Sequence, residues 1–389
     1  MSEWKKVKIK DLASRIVSGG TPLTKHTEYY NGHIPWLNTK EVKNCRILET
    51  AKFITELGLN NSSAKLIDSN SVIVAMYGVT AGKVAINKIE LTTNQACCNI
   101  TLNEKIADYN FIYYLLLSSF ERLDRLTSGA AQQNLNVGLI SNLEVLVPDL
   151  IEQKVIANVL SDIDDKIDLL HHQNRTFEKL AQTLFRQWFI ENSEDDWEEY
   201  EIRDFAMHKK ISIKPSENPD NNFSHFSLPA FDTNKEPNIE LGSDIKSNKY
   251  QVEPFSILMS KLNPVTPRVW DIYFEPKENS ICSTEFQVVQ PDDRELFPFI
   301  STLLKSDKVR GELSMSSSGT SGSHQRVKPE DIFNISFLTP SVDKMKEFSQ
   351  ILEPNYLKQR KNQQQIKTLE NMRDTLLPKL MSGEVKVKI

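Results

Sequence analysis

The 389-residue sequence has no apolar run approaching the roughly 18 residues that would span a bilayer, so no membrane helix is expected. Its first residues, MSEWKKVKIK, are charged and lack the apolar stretch of a secretory signal. Cysteine is scarce. The four present, Cys45, Cys97, Cys98 and Cys282, show no CxxC-type spacing, which argues against a zinc site and for buried thiols in a reducing compartment. The seven histidines (His26, His33, His171, His172, His208, His225, His324) form no HExxH pair. A GxSxG nucleophile elbow and a Gly-rich dinucleotide fingerprint are also missing. These absences lead us to expect a cytoplasmic protein, without a membrane partner, that is no catalyst by itself and binds neither metal nor cofactor.

Three fragments imitate catalytic motifs, and each fails on geometry. Gly78-Val79-Thr80-Ala81-Gly82-Lys83-Val84 resembles a phosphate-binding loop, but it is one residue short between the glycines and has Val84 where a magnesium-binding Ser or Thr belongs. Pro148-Asp149-Leu150-Ile151-Glu152-Gln153-Lys154 imitates a PD…ExK nuclease, whose acids must come from separate strands. Here Asp149 reads better as a helix N-cap, with Glu152 at the third helical position. Asp162, Asp164, Asp165 and Asp168 lack the glycine turn of a calcium loop and read as a solvated helix face.

What is present is ordinary in bulk and informative in arrangement. The chain is 39% hydrophobic and 25% charged, with a formal net charge of −5. Six acids crowd into ENSEDDWEEY at 191–200 without a base, whereas residues 1–150 hold 16 Lys and Arg against 14 Asp and Glu, and residues 201–389 hold 26 of each. The acidic stretch therefore outweighs the whole negative balance, and both flanks can present basic faces.

The sequence also repeats itself. Trp4-Lys5-Lys6-Val7-Lys8-Ile9-Lys10-Asp11-Leu12-Ala13 matches Trp197-Glu198-Glu199-Tyr200-Glu201-Ile202-Arg203-Asp204-Phe205-Ala206, and SGAAQQNLNVGLISNLEVLVPDL (128–150) matches SGTSGSHQRVKPEDIFNISFLTPSV (318–342). Each half runs from a short opening strand through mixed structure to a polar loop, a strand and a long helix. SVIVAMYG, KVAI and NLEVLVP are strand-like, and 108–126 has helical length and spacing. PFSILMS, RVWDIYF, LFPFISTLLKSDKVR and IFNISFLTP repeat that order. The middles differ, as expected of two domains built alike that read different things. The expected segments are a first domain at 1–148, a helix and linker start at 149–192, a second domain at 193–340 with the acidic opening 193–200, and a second helix and tail at 341–389.

The first helix has a coiled-coil seam at Ile156, Leu160, Ile163, Ile167, Leu170, Asn174, Phe177, Ala181, Leu184 and Trp188. In the second, Met345, Phe348 and Leu352 lead to Pro354, which is expected to end or kink the helix. The seam resumes at Ile366, Leu369, Leu376 and Leu380. If the helices are antiparallel, His171, His172 and Asn174 face Asn362 and Gln363. Such a polar layer would fix register.

Several stretches resemble the specificity subunits of type I restriction–modification enzymes: SGGTPLTKHTEYYNGHIPWLNTKEV (18–42), SVIVAMYGVTAGKVAI with TNQACCNI (93–100), ILMSKLNPVTPRVW (257–270), ICSTEFQVVQP (281–291) and the ending RDTLLPKLMSGEV (373–385). The resemblance spans nearly the whole chain. It implies an α+β fold, in which two similar mixed α/β target-recognition domains are joined by a long antiparallel two-helix coiled coil. It also implies that each domain reads one half of a split, asymmetric site in double-stranded DNA. The coil would set the spacer and dock two modification (methyltransferase) subunits, through which the restriction (translocase-nuclease) subunits join. S-adenosylmethionine, ATP and Mg would then reside on those partners. The loop GTSGSHQR (319–326) departs from GAAQQNLN (129–136), so equivalent contacts are not assumed.

Base edges are read by amide, hydroxyl and cationic side chains on loops, and phosphates by cations. The candidate contacts of the first domain are Thr21, Lys25, Trp36, Asn38, Lys40, Tyr77, Thr80, Lys83, Gln132, Gln133, Asn134 and Asn136. Of these, Lys25, Lys40 and Lys83 suit phosphates, and Trp36 suits core or contact equally. The second domain offers Lys261, Asn263, Arg268, Ser318, His324, Gln325 and Arg326. The competing reading is a coiled-coil scaffold or adaptor without sequence-specific DNA binding, which leaves the two divergent polar-loop domains unexplained.

Overall fold

The computed structural model describes residues 4–119, 135–264, 266–316 and 326–388. The chain divides into two compact units, Met1–Asp168 with Lys367–Ile389, and Leu169–Ile366. Among the described residues no helix is long and apolar enough to cross a membrane.

In the first unit the opening strand Lys5–Lys8 pairs antiparallel with Glu144–Val147, Lys5 facing Val147 and Lys8 facing Glu144. A five-stranded sheet follows in the order Ala13–Ser18, Cys97–Leu102, Val72–Ala75, Val84–Asn87, Cys45–Ile47. Side chains alternate across a strand, and here both faces are covered. Val72, Val74, Val84, Ile86, Cys98 and Ile100 pack with Phe111 and Ile112 of the helix Tyr109–Ser118. Ile73, Ala75, Ala85 and Cys97 face Leu37, Val42, Ile47, Ile67 and Leu91. This burial on both sides is why SVIVA reads as a continuous apolar run. A second sheet of three strands, Lys52–Ile54, Tyr30–Leu37 and Thr92–Thr93, lies beside it in sequence order and carries Ile34, Trp36 and Ile54 as its core.

The second unit repeats the scheme. Glu198–Glu201 pairs antiparallel with Ser336–Thr339. A four-stranded sheet runs Ala206–His208, Phe286–Pro291, Ser256–Ser260, Val269–Ile272. The helices Phe297–Leu304 and Pro329–Phe333 hold the places that Tyr109–Ser118 and Val137–Ser141 hold in the first unit. The halves differ in their second sheet, which here has five strands: Ser212–Ile213, Lys249–Gln251, Ser280–Cys282, Asn222–Phe226 and Asn238–Leu241.

Each half ends in a long helix, Leu150–Arg186 and Val342–Met381. Asp149 caps the first, its Oδ1 accepting the Glu152 amide at 2.9 Å, so the nuclease-like PD…ExK stretch is a helix start. In the first unit Ile156, Ala157 and Leu160 share a core with Leu377 and Leu380. In the second unit Phe348 meets Phe185 and Phe189 at ring distances of 5.9 and 5.3 Å, and Asn362 meets Asn174. Later residues of one helix thus meet earlier residues of the other, so within the second unit the segments run antiparallel.

Three expectations are corrected here. The second helix continues through Pro354, which sits on an exposed face; water can serve the carbonyl that proline leaves without a donor. Near the end of the first helix the seam shifts from Leu184 and Trp188, both half-buried, to the buried Phe185 and Phe189, where the chain widens into a π-helical turn at Gln187–Glu191. The aspartates are not all a solvated face. Asp164 accepts hydrogen bonds from Tyr114 Oη at 2.6 Å and Arg373 Nη1 at 3.0 Å, and Arg46 pairs with Asp165 and lies 3.7 Å from Asp168. Of the remaining seam candidates, Ile156, Leu160, Ile167, Leu170, Ile366 and Leu380 are buried, while Ile163, Asn174, Phe177, Leu369 and Leu376 are half-buried.

Candidate nucleic-acid interface

In the first unit four loops are tied together at the ends of the strands. The Gly20 amide donates to Thr93 O at 2.8 Å, and Trp36 Nε1 donates to Gly20 O at 3.0 Å. A Cβ at Gly19 would stand 2.2 Å from Thr93 O, and one at Gly20 2.3 Å from Ala64 N. The GGTP stretch is therefore a close-packed joint that only glycine permits. Thr39 Oγ1 donates to Asn94 Oδ1 at 2.6 Å, and Thr80 Oγ1 donates to Thr39 O at 2.9 Å. Thr21 bonds to Gln95. On this braced set Lys25, Lys40 and Gln95 are exposed, and Tyr77 and Lys83 half-buried. Gly78, in the left-handed region at φ 88°, turns the chain so that Val79 stands 92% exposed.

The candidates therefore sort by burial. Trp36 and Thr80 are core residues, 4% and 9% exposed, which removes them from the contact set: each spends its polar atom on backbone carbonyls beneath the loops. Asn38 caps the turn Thr39–Glu41, accepting the Lys40 amide at 3.0 Å, and Asn136 caps Val137–Ser141, accepting the Leu139 amide at 2.9 Å. Gln132, Gln133 and Asn134 lie outside the described residues. Gln95, exposed beside Thr21, stands out in the sequence only as a polar residue between Asn94 and an apolar strand.

In the second unit, Asn263 adopts φ 54° in the loop after Ser256–Ser260. Lys261 Nζ donates to Thr284 O at 2.6 Å, and its carbonyl accepts the Val327 amide at 2.9 Å. Arg326 is exposed and pairs with Glu285 at 3.2 Å. Arg268 is held bidentately by Asp232 at 2.6 and 2.9 Å, and that hydrogen bonding raises its pKa. Its fork is thus occupied and must be released before it can read a base. Ser318, His324 and Gln325 lie outside the described residues. Lys210, which nothing in the sequence singles out, comes to the ring of Tyr250 together with Lys261. Burial pushes the Lys261 ammonium and the His208 imidazolium below their ordinary pKa values; Glu285 opposes this at Lys261 and Glu330 at His208, while neighbouring positive charge adds to it.

Fold and loops together define an α+β protein built twice from one plan, each half carrying polar and cationic loops and ending in a long helix. Residues 1–179 match the family described as Type I restriction modification DNA specificity domain. The MjaIX specificity subunit of the type I restriction enzyme of Methanocaldococcus jannaschii is 27% identical over 418 residues, covering 99% of this chain and 94% of that one. The EcoR124I/EcoR124II specificity subunit of Escherichia coli is 28% identical over 152 residues, 38% of this chain and 37% of that one. A crystal structure of the type I restriction–modification S subunit from M. genitalium shares the fold, with a TM-score of 0.58 and 17% identity, over 100% of this chain and 97% of that one. Residues 1–179 thus carry a type I restriction–modification DNA specificity domain, and the chain over nearly its whole length is similar to type I specificity subunits.

Proposed function

We propose that each unit reads one half of a split, asymmetric site in double-stranded DNA, as the sequence-specificity subunit of a type I restriction–modification complex. The paired helices set the number of unread base pairs and dock two modification subunits, which in turn bring the restriction subunits. The chain performs no methyl transfer or cleavage of its own; S-adenosylmethionine, ATP and Mg belong to the partners.

One observation carries this reading: the two units repeat their opening clasp, main sheet and closing helices, yet differ in their second sheet and polar loops. A scaffold would have no use for that combination. Two readers of different sequences would, because base-specific contacts lie on loops while the frame only positions them. The test is methylome sequencing of cells expressing the chain with its modification subunit. A bipartite motif with two unlike halves is expected, and four residues inserted after Asn174 together with four after Asn362 should lengthen its spacer alone, since four residues add about 6 Å of helix. Methylation of a single uninterrupted motif, or a spacer unmoved in a folded and active insertion variant, would overturn the corresponding part.

A further inference from the structure

Around Tyr250 in the second unit the chain gathers more positive charge than it neutralises. Lys261 Nζ lies 5.5 Å and Lys210 Nζ 6.0 Å from the centroid of the same ring. His208 meets that ring edge-on at 6.4 Å and lies tilted against Phe333 at 6.0 Å. Arg326 joins through its backbone bridge to Leu262, one residue beyond Lys261. The acids facing the group are Glu285, which pairs with Arg326 and also attracts the Lys261 charge, and Glu330, which acts on His208. Lys209 is paired separately with Glu253 at 3.2 Å. Among the described residues no carboxylate forms an ion pair with Lys210 or Lys261. His208 Nε2 is buried with no hydrogen-bond partner among the described residues.

The cluster is also built rather than accidental. Lys261 is fastened by its side chain to Thr284 O and by its backbone to Glu285 and Val327, and His208 sits in register opposite Val289 of the main sheet. Lys210 acts against the charge on Lys261, and an aromatic ring offsets only part of such repulsion. An anion entering between them relieves it. A phosphodiester carries one negative charge with two free oxygens, enough to accept from more than one cation.

We infer that His208, Lys210 and Lys261, arranged around Tyr250 with Arg326 at the rim, form an anchoring site for a DNA backbone phosphate in the second unit. This rests on the DNA-reading function proposed above and adds Lys210 and His208 to it. The site positions the duplex and carries no sequence preference. It also links binding to protons. In the free chain His208 resists protonation because it is buried beside two lysines. A phosphate offsets those charges, so His208 takes up a proton as DNA binds and affinity rises as pH falls toward 6.5 and below.

The test is fluorescence anisotropy of the full-length chain on a labelled random-sequence duplex, titrated over salt and pH. Lys210→Ala and Lys261→Met should each lower the slope of log affinity against log salt by about 0.9, one phosphate contact. Lys308→Ala, on the exposed face of the helix Asp307–Ser316, should leave it unchanged. The wild type should bind more tightly as pH drops, by up to about tenfold per unit of pKa restored to His208, and His208→Gln should flatten that dependence. Equal slopes for Lys210→Ala, Lys261→Met and Lys308→Ala, with melting temperatures showing folded variants, overturn the site while leaving DNA reading intact. Failure of the wild type to bind any duplex overturns both.

Discussion

Asn362 donates from Nδ2 to Asn174 Oδ1 at 2.8 Å while its side chain is completely buried, and its own Oδ1 accepts from no group among the described residues. Gln173 Oε1 lies 3.3 Å from the same Nδ2. His171 and His172, expected in this layer, are exposed instead. The layer is therefore an amide pair, half satisfied, between two helices otherwise joined by apolar packing. Amides in this position hold register at a cost in stability, because any axial slip strands them in an apolar setting.

Replacing one partner should hurt more than replacing both. Asn362→Leu leaves Asn174 facing an apolar side chain and is expected to destabilise the second unit by about 1–3 kcal/mol. Asn174→Leu with Asn362→Leu should recover that loss or exceed the wild type. Urea denaturation of the single and double variants measures this, and a double variant weaker than either single one would refute it.

Asp164 holds together the first unit's helix pair. Its two oxygens accept from Tyr114 and Arg373, and its side chain is 15% exposed. Arg373 has its pKa raised; burial opposes the charge, and the attraction to Asp164 more than compensates. Asp164→Ala leaves that guanidinium largely buried without its main partner, which we expect to cost about 2–4 kcal/mol. Thermal melting should show a loss well above that of Asp162→Ala, an exposed control on the same helix.

Acid should weaken the second unit in a defined range. Burial lowers the pKa of His225, only partly opposed by its 3.1 Å hydrogen bond to Glu240, and burial lowers that of His208 too. The unfolded chain takes up these protons first as pH falls through the ordinary value of 6.5. Their contribution is therefore complete above that pH and is lost below it, down to the depressed folded values. His225→Gln should reduce the fall in melting temperature between about pH 7.5 and about pH 5.5. An unchanged fall would show that His225 does not carry it.

Asn136 and its neighbours Gln132, Gln133 and Asn134 should separate by phenotype. Asn136 spends its carbonyl on a helix cap, so Asn136→Ala should cost about 1 kcal/mol of stability while leaving the methylated motif unchanged. Triple replacement of Gln132, Gln133 and Asn134 by alanine should relax one half-site only, by about 1–3 kcal/mol for each bidentate amide–base pairing removed. Methylome sequencing of both variants distinguishes the two outcomes.

Much of the architecture was legible along the chain, because it depends on local properties. The opening stretches at Trp4 and Trp197, repeated in sequence, become the same antiparallel clasp in each unit. The apolar run SVIVA becomes a strand buried on both faces, and the spacing from Ile156 to Leu170 announces a helix with one buried stripe. Periodicity and capping are written within a few residues, so one sequence suffices to read them. What lies opposite a residue is not written there. Only the tertiary structure decided that Trp36 and Thr80 brace the loops instead of presenting them. It likewise placed Asp164 against Arg373 and Tyr114 in place of water, and set Lys210 and Lys261 around one ring. Those pairings join residues tens to hundreds of positions apart, and whether a polar side chain is solvated, paired or poised for a ligand depends on its partner across the fold.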